Sequence, residues 1–111
     1  MLEQELERFL VLLGTRSDVE RVIVFGSYLT GEIHAWSDLD LVIIQQTNSP
    51  FLHRLHQMRN LLRPRVGIDL LVYTPTEFEQ LVRERAFVRD EILDKGKVIY
   101  ERGKPLAHVR A

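Results

Sequence analysis

The chain has 111 residues, of which 45% are hydrophobic and 28% are charged, a composition typical of one soluble globular domain spanning residues 1–111. Lys and Arg total 15 against 16 for Asp and Glu, so the sequence lacks the basic excess of domains that bind long nucleic acids by charge. It contains no cysteine, which excludes disulfides, thiolate metal sites and a cysteine nucleophile, and it fits a cytoplasmic protein. No apolar run approaches the roughly 20 residues of a membrane span, and no signal-peptide pattern follows Met1.

The first half of the chain shows a helical pattern followed by two strand patterns. An amphipathic helix is predicted over residues 2–13 and ends at Gly14. The β-branched run Val22–Phe25 predicts a buried strand. Residues 39–44 are apolar on both faces, which is typical of a central strand covered on both sides. Between these strands we expect a brief helical turn and a loop, over residues 28–37.

The second half alternates between helix and strand. A helix is predicted after Asn48-Ser49-Pro50, with Ser49 as its cap, and it ends at Arg63-Pro64. The remaining predicted elements are a strand over 68–73, a helix from the capping box Thr74–Glu77 to about Arg85, a helix over 87–95, a strand over 97–100 and a loose tail over 102–111. The fold class is therefore α/β (α+β), with a sheet of about four strands flanked by helices.

Three aspartates interrupt two of the predicted strands. Asp38 and Asp40 are two residues apart, so on a strand both side chains project from one face and each raises the pKa of the other unless a cation lies between them. Asp69 interrupts the third strand in the same way, and it can lie beside them if the two strands pair. Magnesium typically uses one or two protein carboxylates together with phosphate oxygens. Three acids on neighbouring strands therefore predict a site for one or two metal ions that act on phosphate.

Gly26-Ser27 lies directly after the first strand, where the chain can approach an anion. Glycine allows close approach to the backbone, and free amides at the start of the following turn point toward negative charge. The Ser27 hydroxyl adds a further donor. The pair therefore predicts a contact with a phosphate chain.

Each of these features alone has an ordinary structural explanation. Gly-Ser after a strand is most often a turn, and Ser27 by itself is more often a helix cap than a phosphate ligand. Asp69 alone would more often be a carboxylate at a sheet edge. The combination favours a site, because acids interrupt two separate apolar strands and no basic residue is placed in the sequence to pair with them.

The segment 26–40 reads Gly-Ser, ten residues, then Asp-x-Asp, and it resembles the signature of the DNA polymerase beta-like nucleotidyltransferase superfamily. Asp69, in Gly67-Ile68-Asp69-Leu70-Leu71, matches the third acid of that family. The resemblance covers about residues 20–100. In length the chain is most similar to the minimal nucleotidyltransferases, the MNT group.

This resemblance implies a polymerase beta-like fold and a specific reaction. Gly26 and Ser27 would contact the triphosphate of a nucleotide, Asp38 and Asp40 would hold two Mg²⁺ ions, and Asp69 would bind the catalytic metal and help to activate a hydroxyl. That hydroxyl would attack the α-phosphate of ATP, accept AMP and release pyrophosphate. Many members of the group bind a helical HEPN protein and act as its antitoxin by adenylylating it.

One departure from the family pattern leaves an alternative open. Members often carry arginines just after Gly-Ser, whereas this chain has Tyr28, Leu29 and Thr30, so a cationic contact to the triphosphate is missing. The alternative is a catalytically weak subunit that neutralises a partner protein by contact.

Overall fold

The computed structural model describes residues 2–26 and 39–103, so Ser27, Asp38 and the predicted turn and loop over 28–37 lie outside it, as does most of the predicted tail. Its elements, in chain order, are α1 (Leu2–Gly14), β1 (Val19–Phe25), β2 (Leu39–Gln45), α2 (Phe51–Leu62), β3 (Ile68–Tyr73), α3 (Pro75–Glu84), a π-helix (Val88–Asp94) and β4 (Lys97–Glu101). The predicted strands and helices are confirmed within a few residues. No helix in these two segments is both long and apolar enough to cross a bilayer.

The four strands form one mixed sheet in the order β3-β2-β1-β4. β1 pairs antiparallel with β2 on one side and with β4 on the other, whereas β2 and β3 are parallel. A parallel pair needs a crossover connection, and α2 provides it. The prediction that residues 39–44 form a central strand is confirmed, since β2 has a neighbour on each edge and helices over both faces.

The sheet separates two hydrophobic cores. One core lies under α1 and α2 and includes Phe9, Leu13 and Met58, each fully buried. The other core lies under α3 and the π-helix and includes Phe78 and Ile92. Both faces are therefore closed by helices over most of their length, so a polar side chain on the sheet is accessible only near a strand end.

The two helices that follow β2 and β3 begin in different ways. The capping box of α3 is confirmed: the Thr74 hydroxyl accepts from the Glu77 amide at 3.1 Å, and Glu77 accepts from the Thr74 amide at 3.0 Å. The prediction that Ser49 caps α2 is wrong, because Pro50 is the N-cap and no side chain caps that end. The Ser49 amide donates to the Thr47 hydroxyl instead.

Candidate active site

Asp40 and Asp69 are direct partners in the parallel ladder between β2 and β3. Paired residues on adjacent strands point to the same face, and the strands lie about 4.8 Å apart. The amide of Leu39 donates to the carbonyl of Gly67 at 2.9 Å, which extends the pairing one position toward the start of both strands. On the other side, Asp40 is paired with Phe25 at the end of β1. Two of the three predicted acids therefore meet at one end of the sheet, where Asp69 is exposed and Asp40 is half-buried.

Gly26 lies against the Asp40 carboxylate in a backbone conformation that favours glycine. Its φ is +78°, in the left-handed region. A Cβ atom placed on Gly26 would collide with the carboxylate of Asp40, and would lie 3.1 Å from its Cγ. From the sequence, Gly26 was predicted to allow a phosphate to approach the backbone. The structure adds an independent reason for glycine at this position, because the Asp40 carboxylate occupies the space that a side chain of residue 26 would fill.

A cavity of about 580 Å³ opens over the acid pair. Among the described residues it is lined by Phe25, Gly26, Asp40, Asp69, Leu70, Leu71, Phe87 and Glu91. Its floor is the end of the sheet, and part of its wall comes from the start of the π-helix. This volume is within the range of about 300–1,000 Å³ that is usual for small-molecule sites.

The sequence prediction did not place Phe87 and Glu91 at the site. Both lie in the segment predicted as a helix, and the sequence did not show which turn of that helix would pack beside the sheet end. Phe87 is 57% exposed although it is a large aromatic residue, and its ring meets that of Phe25 edge to face at 6.3 Å. In the sequence the available signal was a large aromatic residue at the start of a predicted helix. Its exposure, which makes it unusual, became visible only in the folded structure.

A buried ionic contact holds the chain that leads into Asp69. Glu5, buried on α1, accepts from Arg8 at 2.9 and 2.8 Å and from the backbone amide of Arg65 at 2.5 Å. The Arg8 hydrogen bonds hold the pKa of Glu5 below its ordinary value, although burial acts in the opposite direction. Arg8 also donates to the carbonyl of Arg63 at 3.0 Å. The loop before β3 is thereby fixed to α1, and the start of β3 with it.

The acid pair fits a hard divalent cation. Two carboxylates lie side by side at an open strand end, and phosphate oxygens and water can complete the coordination of Mg²⁺. Within residues 2–26 and 39–103, no three His, Cys, Asp or Glu side chains come close enough to hold a metal ion by themselves. The third predicted ligand, Asp38, and the predicted phosphate contact Ser27 lie outside the described residues. Of the three acids predicted to converge, the described residues include Asp40 and Asp69, which are paired, and the convergence of all three stays a prediction.

The family model for "Polymerase beta, Nucleotidyltransferase" matches residues 7–105. The chain belongs to this nucleotidyltransferase family. The match includes the strand-end glycine and both paired acids, and the mixed sheet flanked by helices is the polymerase beta-like fold. No curated protein matches the sequence significantly.

Solved structures share this fold at low sequence identity. A candidate nucleotidyltransferase from Sulfolobus solfataricus superposes with a TM-score of 0.62 at 16% identity, over 95% of this chain and 81% of the other. A chain of a toxin–antitoxin complex with AMP-PNP superposes with a TM-score of 0.51 at 17% identity, over 93% and 76%. A chain of a mutant of the MntA-HpeT toxin–antitoxin complex gives a TM-score of 0.50 at 16% identity, over 91% and 74%.

Proposed function

We propose that this protein is a metal-dependent nucleotidyltransferase that transfers AMP from ATP to a hydroxyl group of an acceptor. The observation that carries the proposal is the pairing of Asp40 with Asp69 at an open end of the sheet, beside a glycine that leaves room for the Asp40 carboxylate. Membership of the nucleotidyltransferase family supports the reaction class.

The proposed roles combine the observed positions of Gly26, Asp40 and Asp69 with the places of Ser27 and Asp38 in the sequence motif. Asp40, with its sequence neighbour Asp38, would hold the metal that accompanies the triphosphate, and Asp69 would complete the site and accept the proton of the acceptor hydroxyl. Gly26 and Ser27 would contact the triphosphate through backbone amides and a hydroxyl. A bound Mg²⁺ supplies Lewis-acid stabilisation of charge on phosphate oxygens. The acceptor oxygen forms a bond to the α-phosphorus while the bond to the leaving pyrophosphate breaks.

We further propose that the acceptor is a protein partner, a helical HEPN-type toxin that this chain would neutralise as its antitoxin. Two of the solved structures with this fold belong to toxin–antitoxin complexes, one of them with AMP-PNP, and this supports both a partner protein and an adenine nucleotide. In the other complex, the mutant carries glutamate in place of two aspartates that are two positions apart, the spacing of Asp38 and Asp40 here.

A second candidate function is neutralisation of the partner by contact, with little or no transfer. The observation in its favour is the sequence Tyr28-Leu29-Thr30 after Gly-Ser, which offers no cation to the triphosphate. The two functions differ in a measurable way, because contact alone requires neither nucleotide nor Asp69.

Substitution of Asp69 tests the transfer reaction. Asp69→Asn removes a charge that nucleotide docking does not require, so we expect MgATP to bind within about tenfold of wild type, roughly 1.4 kcal/mol. Transfer of label from α-labelled ATP to the co-purified partner should fall by on the order of a hundredfold at saturating nucleotide, since an interaction made in the transition state is lost. Glu79→Gln, which changes an exposed carboxylate on α3, is the matched control and should transfer normally. Equal rates for wild type and Asp69→Asn would refute the role of Asp69. If the wild type protects cells without transferring label, contact neutralisation is the function.

Substitution of Asp40 tests the metal site itself. We expect wild type to bind ATP much more tightly with Mg²⁺ than without it, and Asp40→Asn combined with Asp38→Asn to abolish that difference, because the carboxylates that hold the cation are gone. Calorimetric titration of ATP with and without Mg²⁺, for both proteins, gives the four affinities. Four equal affinities would contradict a metal site at this end of the sheet.

A further inference from the structure

The geometry points to Phe87 as the platform on which the base of the bound nucleotide stacks, with the carboxylate of Glu91 accepting a hydrogen bond from an amino group of that base. This inference rests on the proposed function, because it places one part of the nucleotide in the cavity over the acid pair.

The ring of Phe87 is held in position and remains accessible. It is 57% exposed, and its edge-to-face contact with Phe25 fixes one side. The next residue, Val88, is buried, and Ile92 is fully buried on the same π-helix, so the start of this helix is anchored in the core under α3. An exposed aromatic side chain whose ring already contacts a neighbouring ring at a cavity wall is suited to stacking, since less conformational entropy is lost when a ligand binds.

The cavity lining combines two kinds of side chain. The acid pair Asp40 and Asp69, near the strand ends, supplies the charge that attracts a metal-bound triphosphate. Phe25, Leu71 and Phe87 supply apolar surface, and Phe87 lies on the wall formed by the π-helix. A nucleoside triphosphate has the same two components, a charged phosphate chain and a flat base with an apolar face. We place the phosphate chain at the acid pair and the base against Phe87.

Glu91 adds a hydrogen-bond acceptor to the wall formed by the π-helix. It lies four residues after Phe87 in the π-helix and lines the same cavity, and its side chain is 46% exposed and paired with Lys95 at 3.0 Å. An ionised carboxylate only accepts hydrogen bonds. It can therefore accept a hydrogen bond from the exocyclic amino group of adenine, guanine or cytosine, a group that uracil lacks.

Binding of MgATP and of magnesium tripolyphosphate separates base stacking from phosphate binding. We expect Phe87→Ala to weaken MgATP binding by about tenfold or more, the usual loss for one stacked base, and to leave tripolyphosphate binding unchanged. Phe87→Tyr keeps the ring and should restore wild-type affinity. Leu52→Ala, which removes a 76% exposed side chain on α2, is the control and should bind both ligands normally. In addition, Glu91→Gln should reduce the preference of the protein for ATP over UTP.

The outcomes distinguish this inference from the proposed function. If wild type binds both ligands and Phe87→Ala binds MgATP as wild type does, the stacking role is overturned while the proposed function stands. The same conclusion follows if Phe87→Ala loses the partner protein but keeps MgATP, because the exposed ring then belongs to the partner interface. If wild type binds neither ligand with Mg²⁺, the proposed function fails and the inference fails with it.

Discussion

At the scale of single residues, the backbone conformation of Gly26 determines whether the Asp40 carboxylate has room at the site. Its positive φ and the absence of a side chain let the end of β1 pass directly beside the carboxylate of Asp40. Any other residue at this position would have two costs, the left-handed backbone and the collision with Asp40. Gly103 separates these two costs. Its φ of +84° is also left-handed, but nothing lies within 4 Å of the position that a Cβ atom would occupy, so a substitution there has the backbone cost alone.

We expect Gly26→Ala to lose MgATP binding, whereas Gly103→Ala should retain it. Both changes introduce left-handed strain of about 1 kcal/mol, but only the first displaces the Asp40 carboxylate. Chemical denaturation gives the loss of stability, and calorimetry at a temperature where both variants are folded gives the affinity. The stability cost of Gly26→Ala should also shrink when Asp40 is changed to Ala, since the colliding group is gone. A Gly26→Ala protein that binds MgATP normally would contradict the close approach.

At the scale of elements, a buried arginine connects α2, β3 and α3. The guanidinium of Arg54 donates to both carboxylate oxygens of Glu77, at 2.7 and 3.1 Å, and also to the carbonyls of Ser49 and Val72. Glu77 thereby caps α3 and pairs with Arg54 through the same carboxylate. Hydrogen bonds from Arg54 hold the pKa of Glu77 below its ordinary value, against the opposing effect of burial.

The depressed pKa of Glu77 predicts how stability changes with pH. A carboxyl whose pKa is lower in the folded state stabilises the fold above its unfolded value of 4.5, and this contribution is lost as the pH falls through the folded pKa. Glu77→Gln should therefore be less stable than wild type at pH 7, by about 1 kcal/mol because Glu77 is partly exposed, and the difference should narrow in acid. Urea unfolding across this pH range measures it. Glu84→Gln, an exposed carboxylate hydrogen-bonded to the neutral amide of Gln80, is the control, and an equal pH effect there would contradict the prediction.

At the scale of the whole molecule, the sheet separates a core that supports the site from one that lies behind it. Part of the cavity wall comes from the π-helix, which packs through Val88 and Ile92 into the core that contains Phe78. The opposite core, under α1 and α2, includes β4 through Ile99. Ile92 and Ile99 are both nearly inaccessible, so equal substitutions at these positions probe the two cores with the same chemistry.

We expect Ile92→Val and Ile99→Val to lower the free energy of unfolding by similar amounts, about 0.5–1.5 kcal/mol each. Only Ile92→Val should weaken MgATP binding, by about threefold or roughly 0.7 kcal/mol, because it loosens the turn that carries Phe87 and Glu91. Thermal unfolding and calorimetry on the same samples provide both quantities. If Ile99→Val weakened MgATP binding as much as Ile92→Val, the prediction that only the core under α3 and the π-helix supports the site would be contradicted.

The sequence predicted the elements of this fold well because their signals are local. The capping box of α3 and the two-sided apolar run of β2 are complete within a few residues, and both are confirmed. The cap of α2 was predicted wrongly, since Ser49 is one of several residues that could cap and Pro50 takes the position. The pairing of the strands that carry Asp40 and Asp69 was predicted only conditionally and without its parallel direction, because register depends on long-range contacts. The part played by Phe87 could not be predicted, because it depends on how the π-helix packs.

The parallel ladder between β2 and β3 also has a consequence for how members of this family can diverge. The ladder holds Asp40 beside Asp69 whatever length of chain joins the two strands. Insertions and deletions in the connection at residues 46–49 should therefore be tolerated during evolution, because a longer surface loop costs little. A single residue inserted within either strand, between its acid and its core positions, would turn one side chain of the pair toward the opposite core. Selection for activity would thus conserve strand length strictly while loop lengths drift, and related chains of quite different size can keep the same pair of acids.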